Sequence, residues 1–121
     1  MELKNTLFAL SNILDAAEGQ SGLASLDIES KAILKFVGAN ARHGQEICIK
    51  DITQNAALPG SPVTLMKRIQ RLTHDGWLVQ GSSAYHHRRI TLQLSAHAAQ
   101  ELNAISEVLE NHLGKAFKTA T

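Results

Sequence analysis

The sequence predicts a mainly helical protein with a small β-wing, that is, a winged helix-turn-helix flanked by N- and C-terminal helices. Residues 50–76 have the pattern of a short helix, a turn and a longer helix, and two short strand-like runs follow at residues 77–80 and 89–94. A hairpin directly after the second helix of a helix-turn-helix is a wing. Amphipathic runs at both ends of the chain supply the flanking helices.

Length and composition favour a single domain over residues 1–121. The chain is 44% hydrophobic and 19% charged, which is ordinary for a globular protein. No apolar run approaches the ~18 residues of a membrane span. The first residues lack the basic head and cleavage site of a signal peptide, so we expect a cytoplasmic protein. The single cysteine, Cys48, agrees with a reducing compartment.

Positive charge is concentrated in the middle third of the chain. The net charge is only +1, but residues 50–90 carry a balance of +4, whereas residues 1–49 carry −2 and residues 91–121 carry −1. A polyanion such as a nucleic acid would be held by the middle segment.

The first half of the chain predicts two helices and a brief strand. Leucines recur at spacings of three and four across residues 2–18, which indicates an amphipathic helix. Residues 19–22 form a short linker. A second helix starts at Asp27, a residue that favours the N-cap position, and fades near residues 40–44. The partly β-branched run at residues 46–49 predicts a strand.

The helix-turn-helix is marked by its end signals. In the short third helix Ile52 and Ala56 lie one turn apart, and about four residues form the turn that follows it. Ser61 and Pro62 suit the N-cap and first position of the longer helix. Gly76 closes that helix, where a left-handed residue is needed.

The longer helix has an apolar and a basic face. Leu65, Ile69 and Leu72 lie at positions i, i+4 and i+7, so that face packs inward. In a helix-turn-helix followed by a wing, the first turn of the second helix reaches base edges and the cations further along meet phosphates. We therefore expect DNA contacts from Ser61, Pro62, Val63, Thr64, Lys67, Arg68 and Arg71.

The wing supplies a second candidate contact. Arg88 and Arg89 alternate along the second strand, so their side chains point to opposite sides. One would enter the minor groove while the other packs or binds a phosphate. The alternative is a charged hairpin tip kept in water. Ser95 then caps a last helix over residues 95–117. This helix carries more apolar surface than it can easily bury alone.

These features resemble the MarR-type winged-helix transcriptional regulators of bacteria and archaea. The similar region runs from about residue 27 to residue 102 and includes LDIESKAIL, SPVTLMKRIQRLTHDGWL and RITLQLSAHAAQEL. The resemblance implies a repressor that binds double-stranded DNA as a homodimer, with one winged domain per half-site. It implies a dimer interface formed by the terminal helices through Leu3, Leu7, Leu10, Leu14, Leu102, Ile105, Leu109 and Leu113.

The chain departs from the family pattern in the wing. Members usually carry an Asp two residues before the wing Arg, but here Arg88 matches the Arg and His86 occupies the acid position. The resemblance therefore implies a wing that is less ordered or is supported by another contact. In the family pattern the position of Arg68 often faces the interior. Members often bind aromatic acids, which implies an unidentified small-molecule effector.

The sequence gives less support to other functions. His86 and His87 are adjacent and project oppositely, so we expect no metal site. Cys48 is either an oxidation sensor, as in some members of the family, or a buried inert thiol, which its apolar neighbours favour. No phosphate loop, paired carboxylates or Ser/His/Asp arrangement indicates an enzyme, and no cofactor is expected. A winged-helix adaptor that binds another protein without reading DNA is the alternative function.

Overall fold

The computed structural model describes residues 2–86 and 88–120, the last six by their backbone alone. His87 therefore lies outside the described residues. The chain forms two compact units. Residues 26–99 form one, which we call the winged unit, and the segments before and after it form the other, which we call the terminal unit.

The predicted architecture is confirmed, with a short 3-10 turn added at Gly22–Ser25. The elements in chain order are α1 (Thr6–Gly19), α2 (Ile28–Arg42), β1 (Ile47–Cys48), α3 (Ile49–Thr53), α4 (Pro62–His74), β2 (Leu78–Ser82), β3 (Ile90–Leu94) and α5 (Ala96–Ala120).

A three-stranded antiparallel sheet carries the wing. Its order is β1-β3-β2, so β3 lies in the centre. Ile47 pairs with Leu92 on one side, and Ser82 pairs with Ile90 at the end of the β2–β3 ladder. The register leaves residues 83–86 and 88–89 in the tip of the hairpin. It also brings the chain just before β1 towards the base of that tip.

The core of the winged unit contains the inward face of α4, as predicted. Leu65, Ile69 and Leu72 are each 1% exposed, and burying one such side chain contributes about 1.5–3 kcal/mol. They belong to a larger buried set with Ile33, Leu34, Val37, Ile47, Cys48, Ile52, Trp77, Leu78, Leu92 and Ala98.

Three predicted N-caps are confirmed. The side chain of Asp27 accepts a hydrogen bond from the amide three residues on at 2.9 Å, and those of Ser61 and Ser95 do so at 3.2 and 3.1 Å. Each oxygen satisfies an N–H that the helix itself leaves free. The beginnings of α2, α4 and α5 are therefore set by single residues.

The third helix is shorter than predicted. It ends at Thr53, so Ala56 is an exposed turn residue and eight residues, 54–61, connect α3 to α4. Asn55 explains the early end, because its side chain accepts from the amide of Ala57 at 2.9 Å. This local turn competes with helical hydrogen bonding.

The terminal unit differs from the prediction at three points. Helix α1 begins at Thr6 rather than residue 2, because Leu3 is 78% exposed and gains nothing by being ordered there. The predicted linker leads into the 3-10 turn, whose Leu23 is fully buried. Ile105, which was predicted for the dimer interface, is only 6% exposed within the chain. The amide of Gly22 donates to Glu101 Oε2 at 2.9 Å and holds the turn against α5.

Candidate nucleic-acid interface

Glycines with positive φ fix both ends of α4. Gly60, just before the N-cap, has φ +103°, and a Cβ there would lie 3.2 Å from Glu29 Cγ. Gly76, just after the helix, has φ +84°, as the end signal predicts. Side chains other than glycine rarely adopt this conformation. The direction in which α4 leaves the turn is therefore determined by backbone geometry.

The first turn of α4 presents small apolar and hydroxyl groups to the outside. Ser61 and Pro62 are exposed, and Val63 is 66% exposed. The hydroxyl of Ser61 donates to Thr64 Oγ1 at 3.1 Å while accepting from the Thr64 amide. The Thr64 hydroxyl therefore keeps its own proton for an outside acceptor. Such groups suit thymine methyls, base edges and phosphate oxygens.

A polar stripe continues along the exposed face of α4. Lys67 and Arg71 are both exposed and lie one turn apart, as predicted. Gln70 and His74 are also exposed and were missed by the sequence reasoning. Their spacing from Lys67 of three and seven residues was the available signal, since positions i, i+3 and i+7 share one face of a helix. A glutamine on this face is suited to an adenine edge.

Arg68, one of the predicted DNA contacts, is paired within the winged unit and is therefore a weaker candidate for a DNA contact than Lys67 or Arg71. Its Nε lies 2.6 Å from Asp27 Oδ2, and its side chain is 25% exposed. The Asp27 carboxylate thus caps α2 and pairs with α4. Hydrogen bonding from Ser30, followed by the charge of Arg68, holds the pKa of Asp27 below its ordinary value. Arg68 therefore fixes α4 against α2.

The two wing arginines lie in the hairpin tip and not on the strand, because β3 begins at Ile90. The prediction that they alternate along a strand is wrong. Arg89 is tied into the tip by its backbone: its amide donates to the His86 carbonyl at 2.9 Å, and its carbonyl accepts from the Ser83 amide at 3.1 Å. Both arginine side chains are exposed, as is Tyr85 at 83%.

A glutamate outside the wing holds the tip. Glu46 Oε2 accepts from the Ser83 hydroxyl at 2.5 Å, and Glu46 Oε1 accepts from the Ala84 amide at 2.8 Å. These bonds, led by that from Ser83, lower the pKa of Glu46, and the charges of Arg89 and His86 add to the effect. Nothing in the sequence pointed to this contact, because its partners are 37 and 38 residues apart.

Basic side chains of α3 and of the hairpin tip also line one cavity. Lys50, Arg88 and Arg89 line a cavity of about 300 Å³ together with Cys48, Ile49 and Ile90. Three cations around one surface cavity make it a candidate site for a phosphate group. Lys50 is the second residue of α3, which begins directly after β1, so the sheet and α3 together place it in this cavity.

Cys48 has the surroundings of a structural thiol. It is 6% exposed, and its Sγ donates to Asp51 Oδ2 at 3.2 Å. The Cys48 amide donates to the same oxygen at 2.9 Å, which, with the charge of Arg89, lowers the pKa of Asp51. Within the described ranges, no three His, Cys, Asp or Glu side chains are placed to hold a metal ion.

Across the part of the chain that the structure describes, none of the helices combines the length and apolar character needed to span a bilayer.

Comparison with known proteins identifies the fold. No protein-family model and no curated protein matches the chain. Among solved structures, S. aureus MepR bound to ethidium bromide has a TM-score of 0.74 at 15% identity, covering 98% of this chain and 83% of that one. The structure of NadR in complex with 4-hydroxyphenylacetate has a TM-score of 0.64 at 17% sequence identity, covering 97% of this chain and 77% of that one. The structure of transcriptional regulator Tm0710 from Thermotoga maritima has a TM-score of 0.66 at 14% sequence identity, covering 97% of this chain and 79% of that one.

These neighbours are regulators of the MarR type. At such low identities the likeness shows the fold, and the MarR-type winged helix-turn-helix implied by the sequence resemblance is confirmed.

Proposed function

We propose that this protein is a dimeric regulator of transcription that binds double-stranded DNA in a sequence-specific manner and acts as a repressor. The observation that carries the proposal is the exposed face of α4. Val63 and Thr64 lie in its first turn, and Lys67, Gln70 and Arg71 follow on the outside. A helix of this kind enters the major groove with its first turn at the bases.

The charge of the winged unit supports a polyanionic partner. This unit has nine Lys and Arg against five Asp and Glu, whereas the terminal unit has three against six. A basic patch on one part of a nearly neutral chain is the electrostatic footprint expected of DNA binding. Lys50 of α3 and Arg88 of the hairpin tip add positive charge outside α4.

The test is a variant that removes two cations from the exposed face of α4, Lys67→Ala/Arg71→Ala. Binding to a duplex taken from upstream of its own gene is measured at several salt concentrations. We expect weaker binding and a log Kd that depends less steeply on log salt, by about one unit of slope for each phosphate that the variant no longer neutralises.

A matched control removes the same two charges elsewhere. Lys4→Ala/Arg42→Ala takes one Lys and one Arg from exposed positions off α4, and should leave affinity and salt slope close to those of the wild type. Equal reductions of affinity in the two double variants would mean that α4 has no special role. Wild-type protein without salt-dependent duplex binding would contradict the proposed function itself.

The dimer is proposed from the apolar residues that the terminal unit leaves exposed. Leu3, Leu7, Phe8 and Leu10 are 78%, 67%, 48% and 41% exposed. Several large apolar side chains left exposed within eight residues commonly mark a protein interface. Of the other residues predicted for the dimer, Leu14, Leu102, Leu109 and Leu113 are half-buried and are retained in the proposal.

Control by a small molecule is the remaining part of the proposal. MepR has been solved with ethidium and NadR with 4-hydroxyphenylacetate. We propose that this protein also responds to a small-molecule effector, whose chemistry is not identified. Its test is a screen of aromatic acids and aromatic cations for compounds that release the protein from duplex DNA. Failure of every compound in both classes to change the Kd would contradict effector control of this kind.

The adaptor alternative is less well supported by the structure than by the sequence. The missing wing acid favoured an adaptor, but Glu46 supplies an acidic support for the wing. The low net charge remains in its favour. A monomer that shows no salt-dependent DNA binding would favour the adaptor.

A further inference from the structure

The tip of the wing is folded around one side chain, that of Ser83. Its hydroxyl accepts from the amides of Tyr85 and His86 at 3.1 and 3.0 Å and donates to Glu46 at 2.5 Å. A serine hydroxyl has one proton and two lone pairs, so all its hydrogen-bonding capacity is used. Ser83 is only 8% exposed, so an unmade bond there would not be replaced freely by water.

Glu46 determines the direction in which this hydroxyl points. Because the carboxylate takes the Ser83 proton, both lone pairs are left for the two amides. The second carboxylate oxygen accepts from the Ala84 amide at 2.8 Å. One side chain from the segment before β1 therefore controls three consecutive amides of the tip, of residues 84–86. Hydrogen bonds to an ionised acceptor are stronger than those between neutral groups.

The charges around Glu46 distinguish the two wing arginines. Arg89 lines the cavity beneath the wing together with Glu46 and Asp51, whereas Arg88 does not line it. The positive charge of Arg89 helps to lower the pKa of both carboxyls. Because Arg89 lies among carboxylates of its own chain, Arg88 is the better candidate for an external anion.

We propose that Glu46 is a positioning residue for DNA binding: it holds the wing tip in the conformation that presents Arg88 to the DNA. This inference rests on the proposed function, since it assigns a role within the same interface. Glu46 does not itself touch the DNA, and it acts through the Ser83 hydroxyl and the amides of the tip.

The experiment compares Glu46→Ala, Arg88→Ala and the double variant for binding to the same duplex. We expect each single variant to weaken binding by about tenfold, the size of one charge-assisted hydrogen bond. The double variant should bind no more weakly than Arg88→Ala, because Glu46 acts through Arg88. If Glu46 acted independently of Arg88, the fold reductions in affinity of the two single variants would multiply in the double variant.

Two further measurements keep the inference testable without relying on DNA binding. In Glu46→Gln, which preserves size but lacks the charge, hydrogen exchange at the amides of residues 84–86 should be at least several-fold faster, while the melting temperature falls only slightly and the fold stays intact. The neighbouring exposed change Gln45→Ala is the matched control and should leave both exchange and affinity unchanged.

The outcomes separate the two claims. If wild-type protein binds duplex DNA and Glu46→Ala binds equally well, the positioning role is overturned and the proposed function stands. Multiplying reductions of affinity in the double variant, or unchanged exchange in Glu46→Gln, also overturn the positioning role. If the wild type binds no DNA, the proposed function fails, whereas faster exchange in Glu46→Gln would still support the Glu46 contact with the tip.

Discussion

At the scale of single residues, carboxylates connect the elements of the winged unit. Asp27 caps α2 with Oδ1 and pairs with Arg68 of α4 through Oδ2. Glu46 connects the segment before β1 to the wing tip in a similar way. Each carboxylate uses its two oxygens on different partners, so replacing one side chain removes two interactions. The orientation of α4 and the shape of the wing therefore depend on few residues.

Arg68 and Arg71 are predicted to differ, although they are three residues apart on the same helix. Arg68→Ala should lower the free energy of unfolding by up to about 1 kcal/mol, since its ion pair is partly exposed, and should leave the salt dependence of DNA binding unchanged. Arg71→Ala should have the opposite pattern. Urea unfolding and a salt titration of duplex binding measure the two effects. A large decrease in the salt dependence of DNA binding in Arg68→Ala would show that Arg68 contacts the DNA.

Stability should fall in acid. The pKa values of Asp27, Glu46 and Asp51 are lowered from 3.8, 4.5 and 3.8. A carboxyl with a lowered folded-state pKa stabilises the fold fully above its ordinary pKa, and this contribution is lost as the pH falls through the lowered value. We therefore expect the unfolding free energy to decline below about pH 4. Unfolding can be followed by the fluorescence of Trp77, which is the single tryptophan and is 8% exposed in the folded protein.

Replacement of the three carboxylates is the corresponding control. The triple variant Asp27→Asn/Glu46→Gln/Asp51→Asn should be less stable at neutral pH and should show a flatter pH dependence than the wild type. A wild-type protein that became more stable on acidification from about pH 5 to about pH 3 would have the wrong sign for lowered pKa values.

At the scale of elements, the ends of α4 define the candidate interface. Ser61 caps its start, Pro62 takes the first position, and Gly76 with φ +84° follows its end. The inward face is fully buried, so the exposed face is fixed by default. The buried inward face therefore determines which side chains of α4 meet a partner, and the residues at its two ends determine where the helix begins and stops.

Gly76→Ala should destabilise the winged unit by about 1 kcal/mol, because alanine is strained at a positive φ. Gly19→Ala is the control: Gly19 ends α1, a Cβ there would meet nothing within 4 Å, and its φ is not positive. That change should be neutral or slightly stabilising. Equal effects of the two substitutions on chemical unfolding would contradict the assigned geometry at Gly76.

Local signals in the sequence were sufficient for most elements. Periodicity predicted the inward face of α4, and end signals predicted the caps at Asp27, Ser61 and Ser95, since each depends on residues within one turn. The early end of α3 was missed because the Asn55 side chain competes with the helix. The 3-10 turn with the buried Leu23 was not predicted, since the expected linker covered only residues 19–22.

Contacts between distant residues could not be predicted in the same way. Arg68 lies on the polar side of α4, and its pairing with Asp27 depends on how two helices pack. The Glu46 contact with the wing depends on the register of β1 against β3. No spacing rule links residues 46 and 83, so the sequence predicted a wing that lacked its acid partner.

At the scale of the whole molecule, the excess of positive charge and the exposed leucines belong to different units. The winged unit has an excess of four positive charges, and the terminal unit an excess of three negative ones. The exposed leucines of α1 lie in the terminal unit. This division supports one unit for DNA and the other for a second copy of the chain.

Dimerisation is predicted to depend on the exposed stripe of α1. Leu7→Asp should reduce the mass in solution from twice 13.1 kDa towards that of the monomer, because it places a charge in an apolar contact. Asn12→Asp introduces the same residue at another exposed position of α1 and should remain dimeric. Light scattering after gel filtration measures both. A Leu7→Asp protein that stays dimeric would exclude this stripe from the interface.

The most direct test of the central claim is selection of binding sites from a random duplex library by the wild-type protein. A dimer with one α4 in each of two major grooves should enrich an inverted repeat with half-site centres about 10 base pairs, or ~34 Å, apart. The Lys67→Ala/Arg71→Ala variant should enrich no such repeat under the same conditions. Failure of the wild type to enrich any sequence, or enrichment of an unpaired single site, would contradict a dimeric, sequence-specific DNA-binding protein.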